Sequence, residues 1–432
     1  MGMAATRLKD TATLSEADRT WYEDAFLEHV YEPMLLYNHG SAQLGTGKIP
    51  KNRGTTVNWF RYHPLARKTA GRSEGKTTYT AQAFKAMTVE AQVEIWDSVA
   101  TVSELMWYAG RDGGMTGATQ VLGEQAGESV EQETVKLMAE GGCWPLPRNA
   151  YNATTGIMVA SFYAENIAAT KTGTTTTFIG TGLNVMFEGN MSNDVLIGAF
   201  GCVSKGRGYG HAFRVTSYDS DGGAATVPSI LFTPAAPEAL TSEVGCISYI
   251  TLGLPNHNER QLDANDTMTT GFLLKAKTIL QKNKAKRFAD GTYHAMIDPD
   301  VKTQLMALDT TWINQMTQSR PEKGEKGYIG TWMGISFFET NIVARYPIVS
   351  NTANAISFTA GAMRTTFIMG RDSFGKVSIG NELNDPQLIF KGLDSGGVAN
   401  PTESYATMAW KIIWKIKPLN ANWCVAAFTY MA

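Results

Sequence analysis

Two alternating strands held apart by a long polar segment constrain the fold more than any other feature. Residues 55–63 (TTVNWFRYH) read as one strand, and residues 89–95 (VEAQVEI) alternate apolar and polar side chains, as a half-buried strand does. The segment 64–85 between them is mostly polar and is too long for a tight hairpin turn. We therefore predict an extended two-stranded arm, which needs neighbours for its burial.

The tip of this arm carries most of its charge. Loops of this length in compact domains usually carry function or are ordered by a partner. Basic side chains outnumber acidic ones there, so we take the following residues as candidate contacts with another surface: Arg67, Lys68, Arg72, Glu74 and Lys76.

Composition and charge narrow the class of protein. A chain of 432 residues with 43% hydrophobic and 18% charged residues is typical of globular proteins and long enough for two or three domains. Its 42 glycines and many threonines favour turns and strands. The net charge of −2 argues against a dedicated nucleic-acid binder. No apolar run reaches the length of a membrane span, so we expect none.

The cysteines give no sign of a metal or disulfide framework. All four, Cys143, Cys202, Cys246 and Cys424, are far apart, and none belongs to a Cys-x-x-Cys pair. We expect reduced, buried thiols.

Hydrophobic periodicity predicts the other main elements. A helix begins at a capping box in residues 15–18 and ends before Pro33, and a second helix of roughly 36 Å covers residues 117–140, lying along a sheet with its back in solvent. A β-rich insertion is predicted at 149–266. After it, we predict a helix at 270–288, a helix after residue 298 that ends near 318, and a strand at 335–339. Strands 405–416 and 423–430 are predicted to form a long C-terminal hairpin.

The stretch YHAMIDPDVKTQL places two carboxylates around a proline. Pro299 suits the first position of a helix, so Asp298 falls at the N-cap and Asp300 in the first turn, where both meet unpaired backbone N–H groups. A divalent metal site is the alternative. His294 lies four strand residues before Asp298, roughly 13 Å away, which is too far to share one ion. We therefore favour the capping interpretation.

The remaining chemical motifs are weak. The sequence GTGK at residues 45–48 is followed by Ile49 and Pro50 instead of a helix, so we read it as a loop and not a phosphate site. GRGYG at 206–210 indicates a turn. The histidines do not have the spacing of metal ligands, and the nucleophile motif Gly-x-Ser-x-Gly does not occur. A catalytic triad whose residues are far apart in the sequence is not tested by these motifs.

Three stretches resemble the major capsid proteins of tailed bacteriophages, in particular the coliphage N-four-like family. They are residues 49–66 (IPKNRGTTVNWFRYHPLA), 273–305 (LLKAKTILQKNKAKRFADGTYHAMIDPDVKTQL) and 327–341 (GYIGTWMGISFFETN). The resemblance covers about residues 15–145 and 268–432. Two features depart from the family: the turn GRSEGKT at 71–77 is basic, and the insertion at 149–266 is large.

The resemblance implies an α+β chain with the Hong Kong 97-type capsid fold. Its parts would be an N-terminal arm at 1–53, an extended β-hairpin loop at 54–97, a peripheral domain with the long spine helix at 98–148, the β-rich insertion at 149–266, an axial α/β domain at 267–395, and peripheral β-sheet strands at 396–432.

It also implies a function without catalysis, cofactor or metal. Hexamers and pentamers of this chain would form an icosahedral head around double-stranded DNA, assembled in the host cytoplasm as part of a virion. Each arm would lie over an adjacent subunit. Portal, scaffolding and decoration proteins are possible partners, packaged DNA would be contacted without sequence preference, and no membrane is involved.

Two other classes of function stay open. A receptor- or carbohydrate-binding protein of a virion would use the insertion as its binding unit. An α/β hydrolase would need a nucleophile and a base that converge in space, which the sequence does not indicate.

Overall fold

The computed structural model describes the following residues: 16–40, 46–49, 54–62, 65, 74, 86–105, 115–148, 163–171, 177–179, 199–205, 209–219, 229–233, 248–253, 266–308, 310–318, 327–342, 345–352, 355–379, 386–392 and 404–430.

The helices are α1 (Glu16–Tyr31), α2 (Leu35–His39), α3 (Met115–Gly141), α4 (Thr270–Lys282), α5 (Pro299–Leu308) and α6 (Thr310–Gln318), and a 3₁₀ turn spans Ala421–Trp423. The strands are β1 (Thr46–Ile49), β2 (Thr56–Tyr62), β3 (Ala86–Gln92), β4 (Glu94–Ser103), β5 (Trp144–Pro147), β6 (Tyr163–Lys171), β7 (Thr177–Ile179), β8 (Phe200–Lys205), β9 (Ala212–Asp219), β10 (Ser229–Thr233), β11 (Ser248–Gly253), β12 (Tyr293–Ile297), β13 (Tyr328–Trp332), β14 (Ile335–Glu339), β15 (Arg345–Thr352), β16 (Ala355–Met369), β17 (Phe374–Ile379), β18 (Gln387–Lys391), β19 (Tyr405–Pro418) and β20 (Cys424–Tyr430).

These strands form four sheets. A five-stranded sheet joins β1, β17, β19 and β18, with β4 on the free side of β19. A seven-stranded sheet runs β13-β14-β12-β16-β20-β5, with β15 beside β16. The arm strands β2 and β3 pair with each other, and β6 to β11 close into a six-stranded barrel. The predicted mixed α+β character is thus confirmed, and the described strands between residues 149 and 266 form the barrel.

Strand β19 and helix α3 form the centre of one core. Every second side chain of β19 is buried, from Ala406 through Trp410 to Ile416, as the period of two requires when one face of a sheet is covered. Helix α3 packs on this face, and Trp410 Nε1 donates a hydrogen bond to Gln125 Oε1 at 3.2 Å. The predicted position of the long helix against a sheet is correct.

Glycines allow α1 to lie unusually close to α3. A Cβ atom at Gly123 would lie 2.9 Å from the carbonyl oxygen of Phe26, and one at Gly127 would lie 2.5 Å from Pro33 Cγ and still closer to the carbonyl oxygen of Val30. Real Cβ atoms do not approach other atoms so closely, so any larger residue would push the helices apart.

The seven-stranded sheet is covered on both faces. Helices α4, α5 and α6 contribute to the core on one face, with Phe272, Leu305 and Trp312 buried there. Side chains that point to the other face, such as Met296, Phe338 and Phe428, belong to the core that contains α1, α2 and α3. The N-terminal helices therefore lie between the two large sheets.

The capping interpretation of the Asp pair is confirmed. Helix α5 begins at Pro299, and Asp298 Oδ1 accepts a hydrogen bond from the backbone N–H of Asp300 at 2.9 Å. Arg364 on β16 lies 3.3 Å from a carboxylate oxygen of each aspartate. The two carboxylates thus hold the start of α5 against the sheet.

Five sequence-based expectations need correction. The single helix predicted after residue 298 and ending near 318 is two helices, α5 and α6. The strand predicted at 89–95 is two strands: β3 pairs with β2, and β4 pairs with β19. The helix predicted at 270–288 ends at Lys282, because Lys284 takes a positive φ of 55°. The segment 46–49 of the supposed loop is a strand parallel to β17. The predicted C-terminal hairpin does not form, because the 3₁₀ turn at Ala421–Trp423 sends β19 and β20 into different sheets.

Sheet membership also crosses the expected domain bound at 395/396, in both directions. Strands β17 and β18, expected in the axial domain, join β19, whereas β20 lies in the seven-stranded sheet with β12 and β16. The domain bounds as such stay a prediction. Of the cysteines, Cys143, Cys202 and Cys424 are buried free thiols, as expected, and Cys246 lies outside the described residues.

The glycine contacts predict opposite effects for two substitutions in α3. Gly127→Ala should destabilise the fold by about 1–3 kcal/mol, because overpacking outweighs the better helix propensity of alanine. Gly117→Ala, whose Cβ would meet no atom within 4 Å, should stabilise it by up to about 1 kcal/mol. Urea unfolding of the unassembled chain measures both. A Gly127→Ala variant as stable as the wild type would refute the close-packing account.

Candidate assembly surfaces

The arm has one covered and one open face. Val57 and Trp59 on β2 pack with Ala91 on β3 against Val377 of the five-stranded sheet. The opposite face of β2 includes Phe60, which is 64% exposed, and Leu65 beyond the strand is 55% exposed. A two-stranded ribbon cannot cover both of its faces by itself. The described part of this chain therefore leaves the outer side of the arm in solvent.

Arg61 fixes the arm to the body. Its guanidinium Nη1 donates a hydrogen bond to the carbonyl oxygen of Leu419, in the turn after β19, and lies near Tyr209 and Gly210 of the barrel. Desolvation by burial lowers the pKa of Arg61 to about 10, and the interaction with Tyr209 opposes this. The side chain is still a cation at neutral pH. It joins the arm to the β19–β20 turn and to the β8–β9 turn.

The contacts at Arg61 also explain why residue 210 is a glycine. Gly210 has a positive φ of 78°, and a Cβ atom there would lie 2.7 Å from Arg61 Nη1 and closer still to Asn420 Oδ1. Asn422 Nδ2 in turn donates to the carbonyl oxygen of Val203 at 3.1 Å. Packing and a hydrogen bond at the end of β2 nearest the tip segment therefore hold the arm against the body.

The outer face of the five-stranded sheet forms a second exposed apolar surface. Ile95 and Val99 on β4 are 63% and 60% exposed, and Ile389 on β18 is 40% exposed. The register pairs Ile95 with Ile413, and both Val99 and Ile389 with Ala409. We call these five residues the outer band. Contiguous apolar surface of this kind marks interaction sites more often than free surface.

The candidate contact residues at the arm tip are mostly untested. Arg67, Lys68, Arg72 and Lys76 lie outside the described residues, whereas Glu74 is described and exposed. Their role stays a prediction. The outer band was missed, although the sequence of β4 (EIWDSVATVS) carries a signal for it: apolar residues occupy both alternating sets of positions.

One polar cluster resembles a catalytic site in composition but not in geometry. Asp290 Oδ2 accepts hydrogen bonds from Ser336 Oγ at 3.3 Å and Thr292 Oγ1 at 2.6 Å, and lies 3.3 Å from His294 Nε2. The carboxylate thus separates the serine from the histidine, whereas nucleophilic catalysis needs the histidine beside the serine.

The hydrogen bonds of this cluster join the turn at Asp290 to Ser336 on strand β14. Ser336 is buried, and the hydrogen bonds from Thr292 and the neighbouring His294 outweigh desolvation, so that the pKa of Asp290 is lowered. Among the described residues, no three His, Cys, Asp or Glu side chains are grouped as metal ligands, and no helix combines the length and apolar character needed to span a bilayer.

Comparison with solved structures finds three similarities that cover most of the chain. The chain is similar to the capsid of Ralstonia phage GP4, with 14% identity over 90% of this chain and 86% of that one and a TM-score of 0.48. It is similar to the capsid of cyanophage Pam1 (14% identity, 89% of each chain, TM-score 0.46). It is also similar to a virus-like particle from Pyrococcus furiosus (10% identity, 96% of this chain, 100% of that one, TM-score 0.39).

No family model matches the chain, and no curated protein sequence does. The coliphage N-four-like family is not confirmed by these comparisons.

The junction at Arg61 predicts how the arm responds to substitution. Arg61→Ala should raise amide hydrogen exchange over β2 and β3 by at least about tenfold, because it removes the charged hydrogen bond that ties the arm to Leu419. Asn58→Ala, an exposed position on the same strand, should leave exchange unchanged. Equal protection in both variants would show that Arg61 does not hold the arm.

Proposed function

We propose that this chain is a structural protein whose copies associate through their arms into a closed shell. The observation that carries the proposal is the exposure of apolar residues on the arm, Phe60 and Leu65, together with the outer band on the sheet beside it. Burial of one large apolar side chain stabilises an interface by about 1.5–3 kcal/mol. A shell repeats each contact in every subunit, so modest contacts suffice.

The arm would lie across a neighbouring copy. Its inner face is occupied by the sheet of its own chain through Val57 and Trp59, so the outer face is the one available to a neighbour. We propose the outer band as part of the surface that receives it. The basic tip residues Arg67, Lys68, Arg72 and Lys76, with Glu74, would set the register of the contact through charge more than its strength.

The finer features follow from the same proposal. Copies would form hexamers and pentamers of an icosahedral phage head around double-stranded DNA, within a virion assembled in the host cytoplasm. Portal, scaffolding and decoration proteins would be further partners, and DNA contacts would be non-specific. The role is architectural and not enzymatic.

A receptor- or carbohydrate-binding protein is the alternative, with the barrel as binding unit. We do not favour it. Such sites expose aromatic rings in a groove, whereas among the described residues of the barrel Phe213 is buried with Val215 and Tyr209 is half-buried beside Arg61.

Expression of the chain alone, followed by negative-stain electron microscopy, tests the proposal. Closed particles or rings of five or six copies are expected. Uniform monomers or trimers at all protein concentrations and salt conditions would contradict self-assembly.

One substitution and one deletion test whether the arm forms the contact between copies of the chain. Phe60→Ser should raise the protein concentration needed for assembly roughly 30-fold, the equivalent of about 2 kcal/mol per lost contact. Asn58→Ser, the matched exposed neighbour, should assemble as the wild type does, and deletion of residues 66–82 should leave a folded chain that no longer assembles. Light scattering measures assembly and circular dichroism confirms folding. Normal particles from the Phe60→Ser variant would remove the arm from the proposed contact.

A further inference from the structure

A cluster of basic side chains lies at the C-terminal end of α4. The two segments that form it, 277–291 and 371–372, contain six basic residues and two acidic ones. The backbone N–H of Arg371 donates a hydrogen bond to the carbonyl oxygen of Lys286 at 2.8 Å and holds the two segments together. The whole chain has a net charge of −2, so the cluster is positive on a chain that is otherwise acidic. We call these six residues the basic corner: Lys277, Lys282, Lys284, Lys286, Arg287 and Arg371.

The backbone of the basic corner is firmly held. The carbonyl oxygen of Asn283, the residue that caps α4, accepts hydrogen bonds from Trp423 Nε1 at 3.2 Å and from Tyr209 Oη at 3.3 Å. Gly370 packs so closely on this segment that a Cβ atom there would lie 2.7 Å from the carbonyl oxygen of Lys286. A fixed backbone therefore carries the basic side chains.

The nearby carboxylates leave much of this positive charge uncompensated. Asp372 lies 3.9 Å from Lys286 Nζ and 3.7 Å from Arg371 Nε. Asp290 is already held by His294 and by neighbouring hydroxyl groups. Among the described residues, no ion pair joins the other four cations of the corner to a carboxylate. The corner can therefore bind an external anion without first breaking a salt bridge of its own chain.

Lys284 occupies a backbone position that favours glycine. Its N–H donates a hydrogen bond to the carbonyl oxygen of Gln281 at 3.0 Å, and the N–H of Ala285 donates to that of Leu280 at 2.9 Å. These are the hydrogen bonds of a Schellman motif, whose left-handed position is usually a glycine. Lys284 takes a positive φ of 55° there, which a side chain makes unfavourable. A lysine at this strained position indicates a use for its charge other than folding.

Helix stability explains part of the corner. Lys282 lies in the last turn of α4, where a cation is stabilised by the negative end of the helix dipole. That effect does not extend beyond the last turn, so it does not account for Lys286 and Arg287. Burial and the nearby positive charge of Arg287 lower the pKa of Lys277. An anion bound beside these two cations would relieve their repulsion.

The composition of the corner favours a phosphate backbone over another protein surface. Four of its six cations are lysines, a residue type that is depleted in protein–protein interfaces. Each lysine presents a hydrated point charge on a flexible stem, which suits contact with phosphates and carries no base specificity. The exposed side chains between the cations include Thr278 and Gln281, whereas the centre of a protein interface is apolar.

We propose that the basic corner binds the phosphate backbone of double-stranded DNA without regard to base sequence, and that it faces the interior of the shell. The inference rests on the proposed shell function for the identity of the DNA partner. The binding itself is a property of the single chain. Because each neutralised phosphate releases counterions, binding should weaken steeply as the salt concentration rises.

Fluorescence anisotropy with two labelled DNA duplexes of unrelated sequence, each of about 24 base pairs, tests the proposal on the unassembled full chain. Both duplexes should bind equally well. Between about 50 and about 200 mM salt, the logarithm of the binding constant should fall with the logarithm of the salt concentration at a slope of about −3 to −5.

A charge-matched pair of double variants assigns the binding to the corner. Lys282→Gln with Lys284→Gln should weaken binding at least about tenfold at about 100 mM salt and make the slope shallower by about 2. Lys136→Gln with Lys391→Gln removes two exposed lysines elsewhere and should bind as the wild type does. Equal affinities and slopes in the two double variants would overturn the proposal.

Assembly measured by light scattering separates this inference from the shell proposal. The Lys282→Gln, Lys284→Gln variant should form particles as the wild type does. If it binds DNA normally but assembles poorly, the corner contacts another copy and the inference is overturned. If the wild type never assembles but binds DNA through the corner, the shell proposal fails and the DNA site is supported.

Lys284→Gly gives two readouts of opposite sign. The variant should unfold at a higher urea concentration than the wild type, because glycine adopts a positive φ without steric cost. It should also bind DNA about fivefold more weakly, because one phosphate contact is lost. A Lys284→Gly variant that binds DNA as tightly as the wild type would overturn the role given to this strained lysine.

Discussion

A ribbon of two strands cannot bury both of its faces by itself, and the account of this molecule depends on that constraint. The arm covers one face with its own sheet through Val57 and Trp59, and its other face carries Phe60 in solvent. Arg61 prevents the ribbon from rotating to hide that face, because its guanidinium is tied to Leu419. Exposed apolar surface of this kind marks interaction sites more often than free surface, which supports the proposed contact with a second copy.

The body behind the arm is built around the N-terminal helices. Gly123 and Gly127 bring α1 against α3, and α2 then fits between the two sheets with Glu131 at one end and His294 at the other. The rigid part of the molecule thus depends on two polar contacts inside an apolar core.

The sequence predicted the positions of helices and strands well, but it predicted poorly which strands pair with each other. The arm strands, the helix at 117–140 and the cap at Asp298 follow from local patterns, and the structure has them. The alternation of 89–95 continues smoothly through the point where the chain changes sheets, because a period of two does not encode which strand lies alongside. For the same reason the two C-terminal runs looked like a hairpin. Nothing in the local sequence distinguishes buried Glu131 from exposed Glu128, since only the distant segment 35–37 gives its carboxylate partners.

The most direct test is a reconstruction of the assembled particle by electron cryomicroscopy at side-chain resolution. The account predicts that Phe60 and Leu65 are buried against another copy of the chain, at or beside the outer band around Val99. Particles in which both side chains face solvent, or contact only their own chain, would contradict it.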